Sequence, residues 1–225
     1  MKVILRSIFI SILSLSTYSQ NIYTSSLNSS LGIIRTPSIQ MNEEGTVSFL
    51  YTVNDPLAHG RISLSPYEWF EGSFFYYDMN TLRYNGKIGN QSNKDKGFSA
   101  KIRILKENDI WPAIVVGFED LAGTGYFSRE YVVSTYESSN LKISFGAGWG
   151  KFVGTNSYKN PFSQLSEKFN VRPKKSNYIN SGGTPTYDQW FRGDVNIFGG
   201  LEYSPSFSKN LKIKLEYDPF NYKDF

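Results

Sequence analysis

Between Leu141 and Trp149 every second residue is apolar. Leu141, Ile143, Phe145, Ala147 and Trp149 alternate with Lys142, Ser144, Gly146 and Gly148, the period of a strand with one oily face. The same period returns at Val47, Phe49, Tyr51 and Val53. It recurs at Phe98, Ala100, Ile102 and Ile104, with Ser99, Lys101 and Arg103 between them, and again from Val195 to Tyr203. Near the end Leu211, Ile213, Leu215 and Tyr217 alternate with Lys212, Lys214 and Glu216. Aromatic residues make up 16% of the chain while mean hydropathy is -0.37. Apolar residues are therefore plentiful without forming long runs, which suits strands rather than membrane helices. A chain of 225 residues fits one large β domain.

Turn chemistry divides the rest. Ile33 to Met41 and Thr46 to Asn54 are expected to pair as a hairpin around Asn42-Glu43-Glu44-Gly45. Arg61 to Ser65 and Trp69 to Tyr77 form the next pair around Pro66-Tyr67-Glu68. Pro112 to Glu119, Tyr126 to Tyr136 and Leu141 to Trp149 continue the series. A long polar loop at 151–189 follows, broken by Pro161, Pro173, Pro185 and Gly182-Gly183. With the two later strands the expected number is about ten, each near the roughly 9 to 11 residues of a tilted membrane strand. Aromatic residues toward strand ends (Trp69, Phe70, Tyr76, Tyr77, Tyr126, Phe127, Trp149, Trp190, Phe191) read as interfacial girdles, and Lys, Arg and Glu on the second faces suit a wet lumen. The expected fold is all-β, an antiparallel transmembrane β-barrel over residues 32–225. A secreted soluble β-sandwich is its competitor.

The two ends add constraints. Met1-Lys2, Arg6, the apolar Ile8 to Leu15 and Thr17-Tyr18-Ser19 read as a signal peptide over residues 1–19, with residues 20–31 as a flexible lead-in. The apolar core is well short of the roughly 20 residues of a spanning helix. There are no cysteines, so neither disulfides nor a lipobox is available. The formal charge of +4 includes Lys2 and Arg6; the remainder is about +2, too small to indicate a nucleic-acid partner. At the C-terminus Phe225 is aromatic, but Pro219 sits in the same alternation, so the ending reads as a loop. Either a second chain completes the barrel or this is part of a longer gene, since an open edge in a bilayer leaves backbone groups unpaired.

Catalytic chemistry finds little support. A Ser-His-Asp set would need His59, the only histidine, whose Asp55 to Gly60 context reads as a turn. One histidine and no cysteine serve zinc poorly. Glu119 and Asp120 are adjacent, so a strand points them to opposite faces and they do not form a glycosidase pair. Gly123-Thr124-Gly125 lacks the Lys and helix of a phosphate loop. It reads instead as a tight connection with glycines free to take positive φ, and Asp120 pairing with Arg129 across it. No cofactor is expected. Tyr187, Asp188, Trp190 and Arg192 are the best candidates for carbohydrate contact, although a girdle explains them as well.

Gly32-Ile33-Ile34-Arg35-Thr36-Pro37-Ser38 with Glu44-Gly45 resembles the YjbH family of exopolysaccharide- and capsule-associated outer-membrane proteins. Asp95-Lys96-Gly97-Phe98, Lys101, Pro112, Gly117, Asp120, Gly123-Thr124-Gly125, Glu130-Tyr131 and Gly148-Trp149-Gly150 match that pattern in order and spacing. Ile39 and Gln40 depart from it, and the resemblance covers only the N-terminal part of longer relatives. It implies a non-enzymatic barrel assisting polysaccharide assembly or export, with outer-membrane lipid, polysaccharide and envelope export components as partners. A general porin-like channel is the alternative. In the family motif Asp120, Gly123, Thr124, Gly125, Glu130, Gly148, Trp149 and Gly150 are expected to be structural more than binding residues.

Overall fold

The computed structural model describes residues 25–83, 91–154, 156–173, 184–185, 187–208 and 211–221. The expected signal peptide, Gly182-Gly183 and Phe225 lie outside the described residues. Among the described residues ten strands form: β1 (Thr46–Asn54), β2 (Leu57–Tyr67), β3 (Phe70–Arg83), β4 (Ser92–Leu105), β5 (Ala113–Gly123), β6 (Arg129–Glu137), β7 (Leu141–Trp149), β8 (Thr184–Pro185), β9 (Val195–Tyr203) and β10 (Ile213–Tyr217). All belong to one antiparallel sheet, with nine strands in the order β1-β2-β3-β4-β5-β6-β7-β9-β10 and the two-residue β8 attached to β5. The single sheet departs from the sandwich alternative, which needs two. No ladder joins β1 to β10 among the described residues, so backbone pairing does not close the sheet.

Burial along the strands is inverted relative to a water-soluble fold. On β1, Val47, Phe49, Tyr51 and Val53 are each more than 60% exposed. Ile62 and Leu64 of β2, Phe74 and Tyr76 of β3, Phe98 and Ile104 of β4, Ile143 and Phe145 of β7, and Leu215 and Tyr217 of β10 also point outward. The alternate positions are buried and largely polar: His59, Arg61, Ser63 and Ser65 on β2, Ser99 and Lys101 on β4, Thr135 on β6, Ser144 on β7 and Glu202 on β9. A period of two makes this possible, because every strand gives one face to each environment. Tyr67, Trp69, Trp111 and Tyr136 are exposed near the short turns at one end. Tyr77 and Trp149, read from sequence as girdle residues, instead point inward and are buried.

The expected strand Ile33 to Met41 does not form. Residues 25–41 run across the concave face with only isolated bridges, Ser25 to Leu31 and Gly32 to Pro37. The reason lies in where the backbone finds partners. The Ile33 N–H donates to the Thr36 carbonyl (3.0 Å), forming a tight turn, and Pro37 has no N–H for a ladder. The N–H groups of Ile34, Arg35 and Thr36 donate to the Glu216 carboxylate of β10 at 2.8 to 3.0 Å. Lys101 Nζ donates to the carbonyls of Leu31 (2.9 Å) and Gln40 (3.1 Å). Ser29 Oγ donates to Thr52 Oγ1 on β1 at 2.8 Å. The segment therefore bridges the β1/β10 seam from inside through side chains. Residues 25–31, read as a lead-in outside the sheet, are packed within it.

Ile39 and Met41 end the segment in a small apolar cluster with Ala113, Val115, Tyr131, Val133, Phe152 and Phe198. Glycines make space there. A Cβ at Gly117 would run into the Tyr131 ring, and one at Gly146 would run into Phe198. Phe152 and Phe198 stack at 4.7 Å. The interior thus combines one apolar plug contact with a polar wall.

Candidate functional site

The end of the sheet that carries the long connections is built around the motif residues. β5 breaks its register with β4 between Phe98 and Ala100, and Asp120 takes φ 53°. This left-handed residue overturns the expected alternation: Glu119 and Asp120 are both buried because the chain turns between them. Phe127 N–H donates to Asp120 Oδ2 (3.2 Å), Tyr126 N–H to Thr124 Oγ1 (3.1 Å), and Thr124 Oγ1–H to Asp95 Oδ1 (2.7 Å). Gly125 has φ +78°, as a tight connection requires, while Gly123 matters for space: a Cβ there would meet Asp120 and lie 2.8 Å from the Lys96 carbonyl. The ladder sets Arg129 opposite Glu119 rather than Asp120, and its guanidinium lies 4.5 Å from the Phe152 ring centroid.

Glu130, Gly148, Trp149 and Gly150 anchor the long connection after β7. Arg172 forks onto buried Glu130 at 2.7 and 2.9 Å, and the Phe191 N–H donates to the same carboxylate at 3.0 Å. Trp149 stacks on Phe162 (5.6 Å, 8°) and meets Phe191 edge-on at 5.1 Å. Gly150 has φ +67°, and a Cβ at Gly148 would strike Phe152. These residues hold the loop to the wall. Tyr187 is 69% exposed and Asp188 is exposed, whereas Trp190 packs against Phe118 at 4.7 Å and Arg192 is half-buried. None of these four lines either of two cavities on the inner side of the sheet.

Both cavities lie on the concave side. The smaller, about 280 Å³, opens at the end of the motif loop and takes Asn28 and Arg35 from the inner segment. The larger, about 690 Å³, takes Ile39, Gln40 and Met41 and lies at the short-turn end beside Glu68, Arg103 and Lys106. Residues 25–41 thus stand between them. The wall around the segment is held by buried and half-buried ion pairs. Arg61 donates to Glu119 at 2.8 Å, with both side chains buried, and also to Ser73 Oγ at 2.9 Å. Lys212 and Lys214 flank Glu202 at 2.9 and 3.6 Å.

Sequence reasoning missed the smaller cavity. His59 lies in β2, paired with Thr52 and Tyr77 in the ladders, and not in a turn. It is 3% exposed and lines the cavity. Neither ring nitrogen bonds to a described residue, and the imidazole meets Tyr77 edge-on at 4.2 Å. Phe75, Tyr77 and Phe127 add aromatic walls, with Tyr77 and Phe127 4.5 Å apart. The alternation that turns Arg61 inward also turns His59 inward, so the available signal was its place in β2 two residues earlier.

A model of the family described as "Exopolysaccharide biosynthesis protein YbjH" matches residues 25–224. An "Uncharacterized lipoprotein YjbH" from Escherichia coli (strain K12) is 33% identical over 196 residues, 86% of this chain. The chain spans only 28% of that relative's length. No solved structure matches. The motif residues gathered at the loop end, and the family match running from the inner segment to the last strand, agree: the chain belongs to the YjbH family.

Proposed function

We propose that this chain forms the wall of an outer-membrane β-barrel unit that assists assembly or export of an exopolysaccharide or capsule. The observation that carries the membrane reading is the inverted burial, with apolar side chains outward and ionic side chains inward. Monomeric soluble proteins rarely expose contiguous apolar patches beyond a few hundred Å², whereas outer-membrane strands alternate apolar outside with polar inside. The polysaccharide role is supported by the family match. The lipid bilayer is then the partner of the outer face. Polysaccharide and envelope export components meet the polar interior and loops, and no cofactor or catalysis enters this reading.

The β1/β10 seam is the place for additional wall. An unpaired strand edge in hydrocarbon leaves each N–H and C=O without a partner, and the relative is far longer than this chain. Further strands, from a second polypeptide or a longer form of this one, complete the wall there. An open porin fits less well, because residues 25–41 fill the space between the two cavities.

The reading is tested by expressing the chain with its N-terminal segment, isolating the outer membrane, and comparing the gel mobility of heated and unheated samples. Recovery of the chain with the outer membrane and loss of secreted polymer on deletion of the gene are expected, and a heat-modifiable band would show that the chain closes the wall by itself. Recovery from a detergent-free soluble fraction would overturn the membrane assignment. Normal polymer secretion without the gene would overturn the role.

A further inference from the structure

We infer that the smaller concave cavity is a binding subsite for one neutral sugar unit, with His59 as its polar recognition group. This rests on the polysaccharide reading and names the site at which that polymer is touched.

The first observation is the buried imidazole. His59 is 3% exposed, lines the cavity, and has neither ring nitrogen bonded to a described residue. Buried polar groups are normally hydrogen-bonded, and one left unmatched costs about 1–3 kcal/mol. A neutral imidazole presents one donor and one acceptor. A sugar hydroxyl both donates and accepts, so a single hydroxyl can serve either the N–H or the acceptor nitrogen of the ring.

The second observation is the cavity's charge and shape. Its lining holds three cations, Arg35, Arg129 and Lys151, and four carboxylates, Asp55, Glu119, Asp120 and Asp218. Neither sign dominates, which argues against a uronate or phosphate and for an uncharged, hydroxyl-rich ligand. Half-buried Phe127 and Phe220 line the same space and offer apolar surface for the C–H face of a pyranose. At about 280 Å³ the cavity lies just below the range of roughly 300–1,000 Å³ that accommodates drug-sized ligands. One sugar unit is the fitting size.

The inference is tested with the full chain folded in detergent micelles, using D-glucose, D-galactose and D-glucuronate as probes and saturation-transfer NMR as the readout. Binding of a neutral hexose at roughly millimolar affinity is expected, the scale set by ligand-efficiency bounds for so small a ligand, with weaker binding of glucuronate. His59→Phe should weaken hexose binding at least tenfold while His59→Gln, which keeps a donor and an acceptor, retains most of it. Phe127→Ala, at a half-buried position, provides a second variant should His59→Phe not fold. Protein that is recovered with the outer membrane but binds none of the probes would overturn the subsite and leave the barrel reading standing. Glucuronate binding more tightly than glucose, or unchanged binding in both His59→Phe and Phe127→Ala, would also overturn it. A chain soluble without detergent that still binds hexose at His59 would sink the barrel reading and keep the subsite.

Discussion

Glu119 and Arg61 illustrate what a single residue does in an inside-out fold. Both are buried and 2.8 Å apart, so removing one member strands the other as an unpaired charge. Glu119→Ala should destabilise the folded chain by about 3–5 kcal/mol. The double change Arg61→Met with Glu119→Leu should cost much less, read from urea unfolding midpoints. Gly117→Ala tests packing at the same scale. Its Cβ would enter the buried Tyr131 ring, and overpacking of this kind costs about 1–3 kcal/mol, measurable as a lower thermal midpoint. The inward charges were legible in sequence, since Lys101 and Glu202 occupy the second phase of clear alternations. Asp120 was not. Strand periodicity assumes extended backbone, and one residue at φ 53° reverses the faces beyond it.

Among elements, β1 and β7 follow the sequence closely because each carries several apolar residues at period two with turn residues at its ends, whereas β4 starts at Ser92 in a polar stretch read as loop up to Gly97, β5 runs on to Gly123, and β6 starts only at Arg129. The segment 25–41 does not, and the reason is physical: Ile33, Ile39 and Met41 are apolar because they are buried against the inner wall, not because they line a strand. Local pattern cannot distinguish those two kinds of burial. The smaller cavity was hidden for a related cause, since its lining is drawn from the ends of β1, β2, β3, β5 and β6, the inner segment and the chain after β10. Glu216 is the main clasp of that inner segment, accepting from three consecutive backbone N–H groups and from Thr36 Oγ1. Hydrogen bonds to a charged group contribute about 1.5–3 kcal/mol each. Glu216→Ala is therefore expected to release residues 25–36. Limited proteolysis should then cut within that segment at least tenfold faster while the strands stay protected; an unchanged cleavage rate would show that Lys101 and the apolar contacts suffice.

For the whole molecule the decisive quantity is the environment of the outer face. Phe49 and Leu215 lie outward on the two strands flanking the seam, 67% and 65% exposed. On a water-facing surface Phe49→Arg or Leu215→Arg should change stability by no more than about 0.5 kcal/mol. In a bilayer each should cost about 2–4 kcal/mol near the midplane. Refolding into lipid vesicles and into plain buffer separates the two cases, with the large penalty expected only in lipid.

The Glu216 clasp also sets an order of events. It joins Thr36 to a residue 180 positions later in the chain, among the longest-range contacts in the molecule. Contacts of such separation form late, because the chain between them must first be gathered. The stretch that is synthesised early therefore reaches its final place only after the last strand has arrived. Its lodging against the inner wall therefore depends on β10 being in place, and a chain shortened before β10 would keep most of its strands and lose that clasp.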